Sequence, residues 1–514
     1  MAELALEHEA RQKLGVLAAM FVVGLGFVLM AMSIARQNML LLTGLLAVVG
    51  FVIMFPFPKT AIVVVILFAQ VQYLFTSYYG VLVSRPIFPV GFQWLDEVVL
   101  LSLLGNLTLT KFLRKDGLEK APAMMILAVL FVVGVVSSKL NDIPLLRGLI
   151  GERYIFEMGI LYLAVINMDL NERFLKGLIY LLLGIGLFQA TVGILEFVGK
   201  YRLYMTGNHD IVQGTWGGGS ANRIGIFFLC LATIPLARLR RRWDGTKVML
   251  AGLFVLLMVL CSCRTAIAIS PFLFLYVLRE KMKDPRYWIG TAIVFMFLGA
   301  TLLFYYKNTD ADVSKDLGSD AFSFQVMQRT RVIPVMAQVL RDNSAFPLFG
   351  TGPGTYLTPT GTFYGSKIYM QTASLMRTQE LIQPFISASY AVVWMEYGTG
   401  GLILFGLVLL RFFFFAVHQE KVSDSFFWKD YFRALQAIIL VYALVGGIFA
   451  IWTHFQTSIY LWLFPAIGVR YAVLRRQKAL RASEVAAAQE DTGAGLLAAP
   501  PLNNELSQGT RKGQ

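Results

Sequence analysis

The stretch Leu253–Leu278, "LFVLLMVLCSCRTAIAISPFLFLYVL", places one arginine, Arg264, between two runs of apolar residues. Each run is close to the length of a membrane crossing, which takes about twenty residues in a helix. A guanidinium keeps its proton and costs several kcal/mol if it faces lipid, so Arg264 has to sit at a turn, in a wet cavity or against protein. Read this way, the stretch is two membrane helices joined by a tight turn, "CSCRT". The rest of the chain repeats the pattern.

Of the 514 residues, 57% are hydrophobic and 15% are charged, well short of the roughly 25% charge a soluble domain carries. Apolar runs occur at about fourteen places, near 14–33, 38–57, 60–78, 91–110, 121–139, 150–168, 174–198, 222–237, 247–262, 264–279, 288–306, 398–417, 434–452 and 456–474. The expected fold is therefore an all-α polytopic membrane bundle of about 12–14 transmembrane helices. Four regions are expected. Residues 1–306 form the first part of the bundle, 307–387 a long loop, 388–475 the last membrane helices and 476–514 a disordered tail rich in Ala, Pro, Gly and polar residues.

The net charge of +14 comes from short loops such as "RLRRRWDGTK" (238–247), "REKMKDPR" (279–286) and "RYAVLRRQKALR" (470–481). Alternating the spans from a cytoplasmic N-terminus puts each of these on the inner side, with "TKFLRKDGLEK" (110–120) and "HQEKVSDSFFWKDYFR" (418–433). That distribution excludes a nucleic-acid footprint and leaves the lipid bilayer as the first partner. The opening "MAELALEHEARQKLG" shows no cleavage site, so the first span is expected to be the targeting signal. Cys230, Cys261 and Cys263 have no metal-ligand spacing and read as packing residues. The four histidines form no zinc motif, no acidic metal cluster or nucleotide fingerprint appears, and no metal or cofactor is expected.

Two outer segments exceed simple connectors, 199–223 and 307–387, and long loops on a compact bundle are where substrate is handled. In the second, Val332, Val335, Met336, Val339 and Leu340 mark an amphipathic helix, lying on the membrane surface or capping the bundle. Arg329 and Arg331 precede or open it; they are solvated loop charges or, with Arg264, a bidentate clamp for a pyrophosphate. Arg264 itself either snorkels to the head groups or lines an outward-facing cavity. "PLFGTGPGTYL" (347–357) gives a turn at Gly350, Gly352 and Gly354 whose amides could approach an anion. "GTWGGGSANRIGIFF" (214–228) opens a span at Asn222 and Arg223; its glycines allow close approach or a mobile lid, and Ser220 or Asn222 caps the helix or Asn222 meets a sugar. Arg153 and Glu157, at i and i+4, form an internal ion pair or guard a polar cavity, with Arg147 just outside the span. Glu396 precedes the glycine cluster Gly398, Gly400 and Gly401, where it acts as a base, orients an arginine or is merely interfacial.

The ordered set "GGGSANRIGIFF", "SCRTAIAI", Arg331 followed by "PLFGTGPGTY", and "MEYGTGGLILF" resembles the O-antigen ligase and Wzy-type polymerase superfamily over residues 214–406. The resemblance implies a metal-independent glycosyltransferase of the bacterial inner membrane, both termini cytoplasmic. Such an enzyme takes a glycan from undecaprenyl pyrophosphate to an acceptor hydroxyl on the periplasmic face. It further implies Arg264, Arg331 and Glu396 as catalytic groups, and Arg329, Arg223, Asn222, Arg153, Gly352 and Gly354 as substrate-binding groups. A chain-length regulator and a flippase are implied partners. Ligases of the family commonly carry a histidine where this chain has Ser387, nine residues before Glu396. That departure moves the expectation toward polymerisation, with a ligase as the near alternative and a flippase or secondary transporter as the alternative of another class. A SEDS-type peptidoglycan polymerase fits the span count and the "GTGPG" segment less well.

Overall fold

The computed structural model describes residues 39–73, 95–114, 117–200, 212–217, 220–241, 244–281, 299, 333–356, 366–378, 388–448, 451–452 and 454–497. The described helices, in chain order, are α1 (Met39–Met54), α2 (Pro58–Tyr73), α3 (Leu95–Arg114), α4 (Met124–Leu140), α5 (Leu145–Asn167), α6 (Glu172–Gly199) and α7 (Ala221–Leu239). They continue as α8 (Gly245–Leu260), α9 (Arg264–Leu278), α10 (333–343), α11 (Lys367–Thr378), α12 (Ser389–Val422), α13 (Phe426–Val445) and α14 (Phe455–Leu497). Among the described residues there is no strand. Every expected span falls on one of these helices except 14–33 and 288–306, which lie outside the described residues, 299 apart.

Among the described residues, four helical stretches are long and apolar enough to cross a membrane: Glu172–Gly199, Ala221–Leu239, Ser389–Val422 and Phe455–Val485. Their apolar residues occupy both inside and outside. Leu435, Ile438 and Phe464 are sealed in the core, while Ile403, Leu407, Leu410 and Phe414 run along the exposed side of α12. A helix that is apolar all round belongs in a membrane, where lipid tails rather than water meet its outer face. The chain is accordingly a helical membrane protein.

The basic loops meet at one end of the bundle. Arg240, at the end of α7, donates to Glu280 (3.0 Å), to Glu420 (2.6 Å) and to Asp430 (3.3 Å). Arg433 donates to the same Glu280 and Glu420, each at 2.7 Å, and Gln436 donates to the other Glu420 oxygen at 2.8 Å. Beside this network Arg470 caps the last turn of α5 through the carbonyls of Ile166 and Leu170, and Arg476 pairs with Glu119 at 2.7 Å. Segments 238–241, 279–281, 418–433 and 470–478 thus share a face, as the alternation of spans requires.

One open alternative closes and one expectation changes. α10 buries Val335, Met336, Val339 and Leu340 in a small cluster with Tyr356, Ala373, Val392 and Met395, so of its two expected placements it takes the capping one, against the start of α12. Its companion α11 was not read from the sequence. Second, the tail does not become irregular at 476: α14 continues to Leu497, because "ASEVAAAQE" is composed of good helix formers despite its polarity. Residues 498–514 lie outside the described residues.

Arg433 is almost completely buried, whereas Glu280 is half exposed. We expect Arg433→Ala to destabilise by roughly 3–5 kcal/mol, since it leaves Glu420 buried with less compensation. Glu280→Gln should cost under about 1 kcal/mol. Thermal unfolding of the detergent-purified protein distinguishes them; equal losses would contradict the burial argument.

Candidate functional site

α12 is broken. At Gly398 the backbone turns to φ 70° and ψ −174°, which interrupts the helical ladder and strands the amides and carbonyls on either side. In a bilayer such groups need partners from the protein itself. The glycine turn supplies them. Thr351 and Gly352 donate their amides to the carbonyls of Met395 (2.8 Å) and Glu396 (2.9 Å), and Gly400 and Thr399 donate to Leu348 (2.9 Å) and Pro347 (3.3 Å). Backbone lies directly on backbone, so a Cβ on Gly398 would overlap the Leu348 carbonyl and one on Gly350 would overlap the Gly398 amide.

The anion that this turn receives is Glu396. Its Oε2 accepts the Gly354 amide and its Oε1 the Tyr356 amide, both at 3.0 Å, and the residue is 0% exposed. Glu396 is therefore the group that holds the loop. Both of its oxygens are engaged by backbone amides, and the residue is closed to solvent. Gly352 and Gly354, expected to contact substrate through their amides, spend those amides on α12.

Three helix residues fix the turn from the other side. Asn141 donates to Gly350 O at 2.9 Å and accepts the Ala345 amide at 3.0 Å, Ser137 also reaches Gly350 O, and Arg147 donates to Gly354 O at 3.2 Å. Next to Glu396, Tyr397 donates its hydroxyl to Glu152 Oε2 at 2.7 Å. Glu152 is 3% exposed, and its Oε1 occupies the space that Gly134 leaves open on α4. Two carboxylates thus flank one buried tyrosine. The only sequence signal for Glu152 is its charge inside an apolar span.

The second part of this end of the bundle is built on α6. Glu196 accepts the amides of Gln213 (2.8 Å) and Gly214 (2.7 Å), while Gln189 Oε1 accepts the Thr215 amide at 3.0 Å. Trp216 donates its indole N–H to Gln70 at 3.1 Å. Residues 214–216 are thereby a pinned and buried turn, which corrects the lid reading for that part of the glycine segment. Ser220 bonds back to Gln213 and Gly217 and gives the helix no side-chain cap. Asn222 lies in the first turn of α7, and its carbonyl accepts from the Cys263 thiol at 3.3 Å. Arg223 donates to Gln456 at 3.2 Å.

Arg264 is the first residue of α9, after a turn that bends at Ser262 with φ 51°. Its side chain is not among the described ones; Arg329, Arg331, His209 and Ser387 lie outside the described residues. Arg153 pairs with Glu97 on α3 and, at 3.4 Å, with Glu157. The internal ion pair is thus present, extended by a partner from a second helix.

Hydrogen bonds link these pieces into one belt. The loop binds the 395–400 break; Ser389, at the start of α12, accepts the Trp452 amide at 3.0 Å; the 451–456 turn reaches Arg223 through Gln456; and Asn222 meets the Cys263–Arg264 turn. No protein-family model and no curated protein sequence matches this chain.

We expect Gly398→Ala to cost at least about 2 kcal/mol from the left-handed backbone and the overlap with Leu348. Gly406→Ala on the same helix, where a Cβ meets nothing within 4 Å, should stay within about 0.5 kcal/mol. Glu396→Gln, which turns an amide donor toward a backbone donor, should cost about 1–3 kcal/mol and speed hydrogen exchange at Gly354 and Tyr356. Exchange unchanged in that variant would refute the loop-holding role.

Proposed function

We propose that the chain is a Wzy-type polymerase of bacterial surface polysaccharide, acting at the periplasmic face of the inner membrane. The observation that carries the reading is the belt. Segments that lie in the superfamily's order, 214–223, 262–264, 347–356 and 395–400, occupy one end of a membrane bundle, opposite the basic loops. Clustering of polar residues at one face favours interfacial chemistry over alternating access.

In this reaction the hydroxyl oxygen of one lipid-linked repeat unit attacks the anomeric carbon of a second glycan. The bond from that carbon to the pyrophosphate oxygen breaks, undecaprenyl pyrophosphate leaves with the electron pair, and the hydroxyl proton passes to a base. Arg264 and Arg331 act as the clamp on the departing pyrophosphate, where charge develops as the bond breaks. Arg223, Asn222 and Arg329 take the part of glycan-binding residues. Glu396 acts by positioning the loop. Neither metal nor nucleotide sugar takes part.

The test compares cells lacking the protein with cells complemented by wild type, Arg264→Lys or Arg331→Lys, scoring surface polysaccharide and undecaprenyl-linked intermediates. Single repeat units accumulating on the outer-facing carrier support polymerisation. Each lysine variant should lose about 10²-fold in turnover although charge is kept, because lysine cannot make the two-pronged contact. Long chains stalled on the carrier would mean a ligase, and units held on the inner leaflet a flippase.

A further inference from the structure

α3 opens with Asp96 and Glu97, and α5 brings Arg153 and Glu157 against them. One carboxylate oxygen from each of Asp96, Glu97 and Glu157 lies within 4.8 Å of the other two. These acids come from helices about sixty residues apart, so no local spacing announces them. Arg153 engages Glu97 and, more loosely, Glu157 through its 3.4 Å contact. A separate set of oxygens is left over. Asp96 Oδ1, Glu97 Oε2 and Glu157 Oε1 are all buried, and none has a hydrogen-bond partner; Asp96 as a whole is 3% exposed.

Buried polar atoms in folded proteins are almost always paired. Three clustered acids that each keep a buried oxygen without a donor are therefore short of partners. The charges agree: three carboxylates against one guanidinium leave two negative charges, in a setting where an unpaired buried charge costs several kcal/mol. A hard divalent cation answers both deficits, since oxygen-only donors select that class.

We propose that Asp96, Glu97 and Glu157 form a binding site for a hard divalent cation. Arg153 is a positioning residue that orients Glu97 and Glu157. The ion ties α3 to α5, the helix that carries Arg147 and Gly151 against the glycine loop. The site is independent of the transferase reading, because it needs only these two helices.

The test uses the full-length protein in nanodiscs, stripped with EDTA and dialysed. Binding of Ca²⁺ and Mg²⁺ is measured by equilibrium dialysis, and the thermal midpoint is followed across each titration. We expect wild type to bind one Ca²⁺ or Mg²⁺ per chain, with a saturable rise in midpoint. Asp96→Asn and Glu157→Gln should each weaken binding about tenfold or more, while Glu280→Gln, at the opposite end, binds as wild type. Glu97→Gln keeps the test open if Asp96→Asn does not fold. Wild-type protein that binds neither ion, or binding that survives the substitutions, overturns the proposal.

Discussion

A membrane helix broken in its first turns has to find partners for the backbone groups it releases, and the loop end of this bundle is organised by that requirement. Gly398 breaks α12, and residues 347–356 close the gap by exchanging amides and carbonyls with residues 395–400. Irregular backbone is stable at membrane depth only where protein replaces water. The loop cannot be detached without exposing the break, and the break cannot persist without the loop. Asn141, Ser137 and Arg147 transmit the arrangement to α4 and α5, so four segments distant in sequence hold one geometry.

The opposite end uses side chains where this end uses backbone. Arg240, Arg433 and Arg470 each join helices far apart in the chain, through carboxylates or through carbonyls left over at a helix terminus. Guanidinium groups suit this because several planar donors can serve several acceptors at once. Their charges are matched almost one for one by Glu280, Glu420, Asp430 and Asp169. These arginines are staples. An anionic substrate meeting the bundle at the loop end would meet different ones.

The sequence carried the helices well, because about twenty apolar residues in a row have few alternatives, and the basic loops ordered them. It also carried Glu396, Arg153 and the glycine turn as positions of interest. It did not carry their partners. That the turn's amides receive the carboxylate of the chain's own Glu396 is a contact across forty residues, and no periodicity encodes it. Ser137, Asn141 and Glu152 passed unnoticed because a single polar residue in a span reads the same whether it faces a neighbour or a loop. α14 outran its expected end because composition rich in Ala and Glu satisfies both a disordered tail and a helix; the local backbone preference decided for the helix.

Two groups of buried carboxylates show how burial separates roles. Glu396 has both oxygens filled by amides that the turn fixes in place, and nothing about it asks for a further ligand. At Asp96, Glu97 and Glu157 one arginine pairs with two of the three acids, and three oxygens remain unmatched. A carboxylate whose acceptors are all met stabilises the structure it is part of, because releasing it would expose the donors as well as the acid. A carboxylate whose acceptors are unmet is unstable as it stands and gains from any cation that reaches it. The first kind is therefore a weak candidate for chemistry however conspicuous its motif, and the second a strong candidate for binding even where no motif marks it.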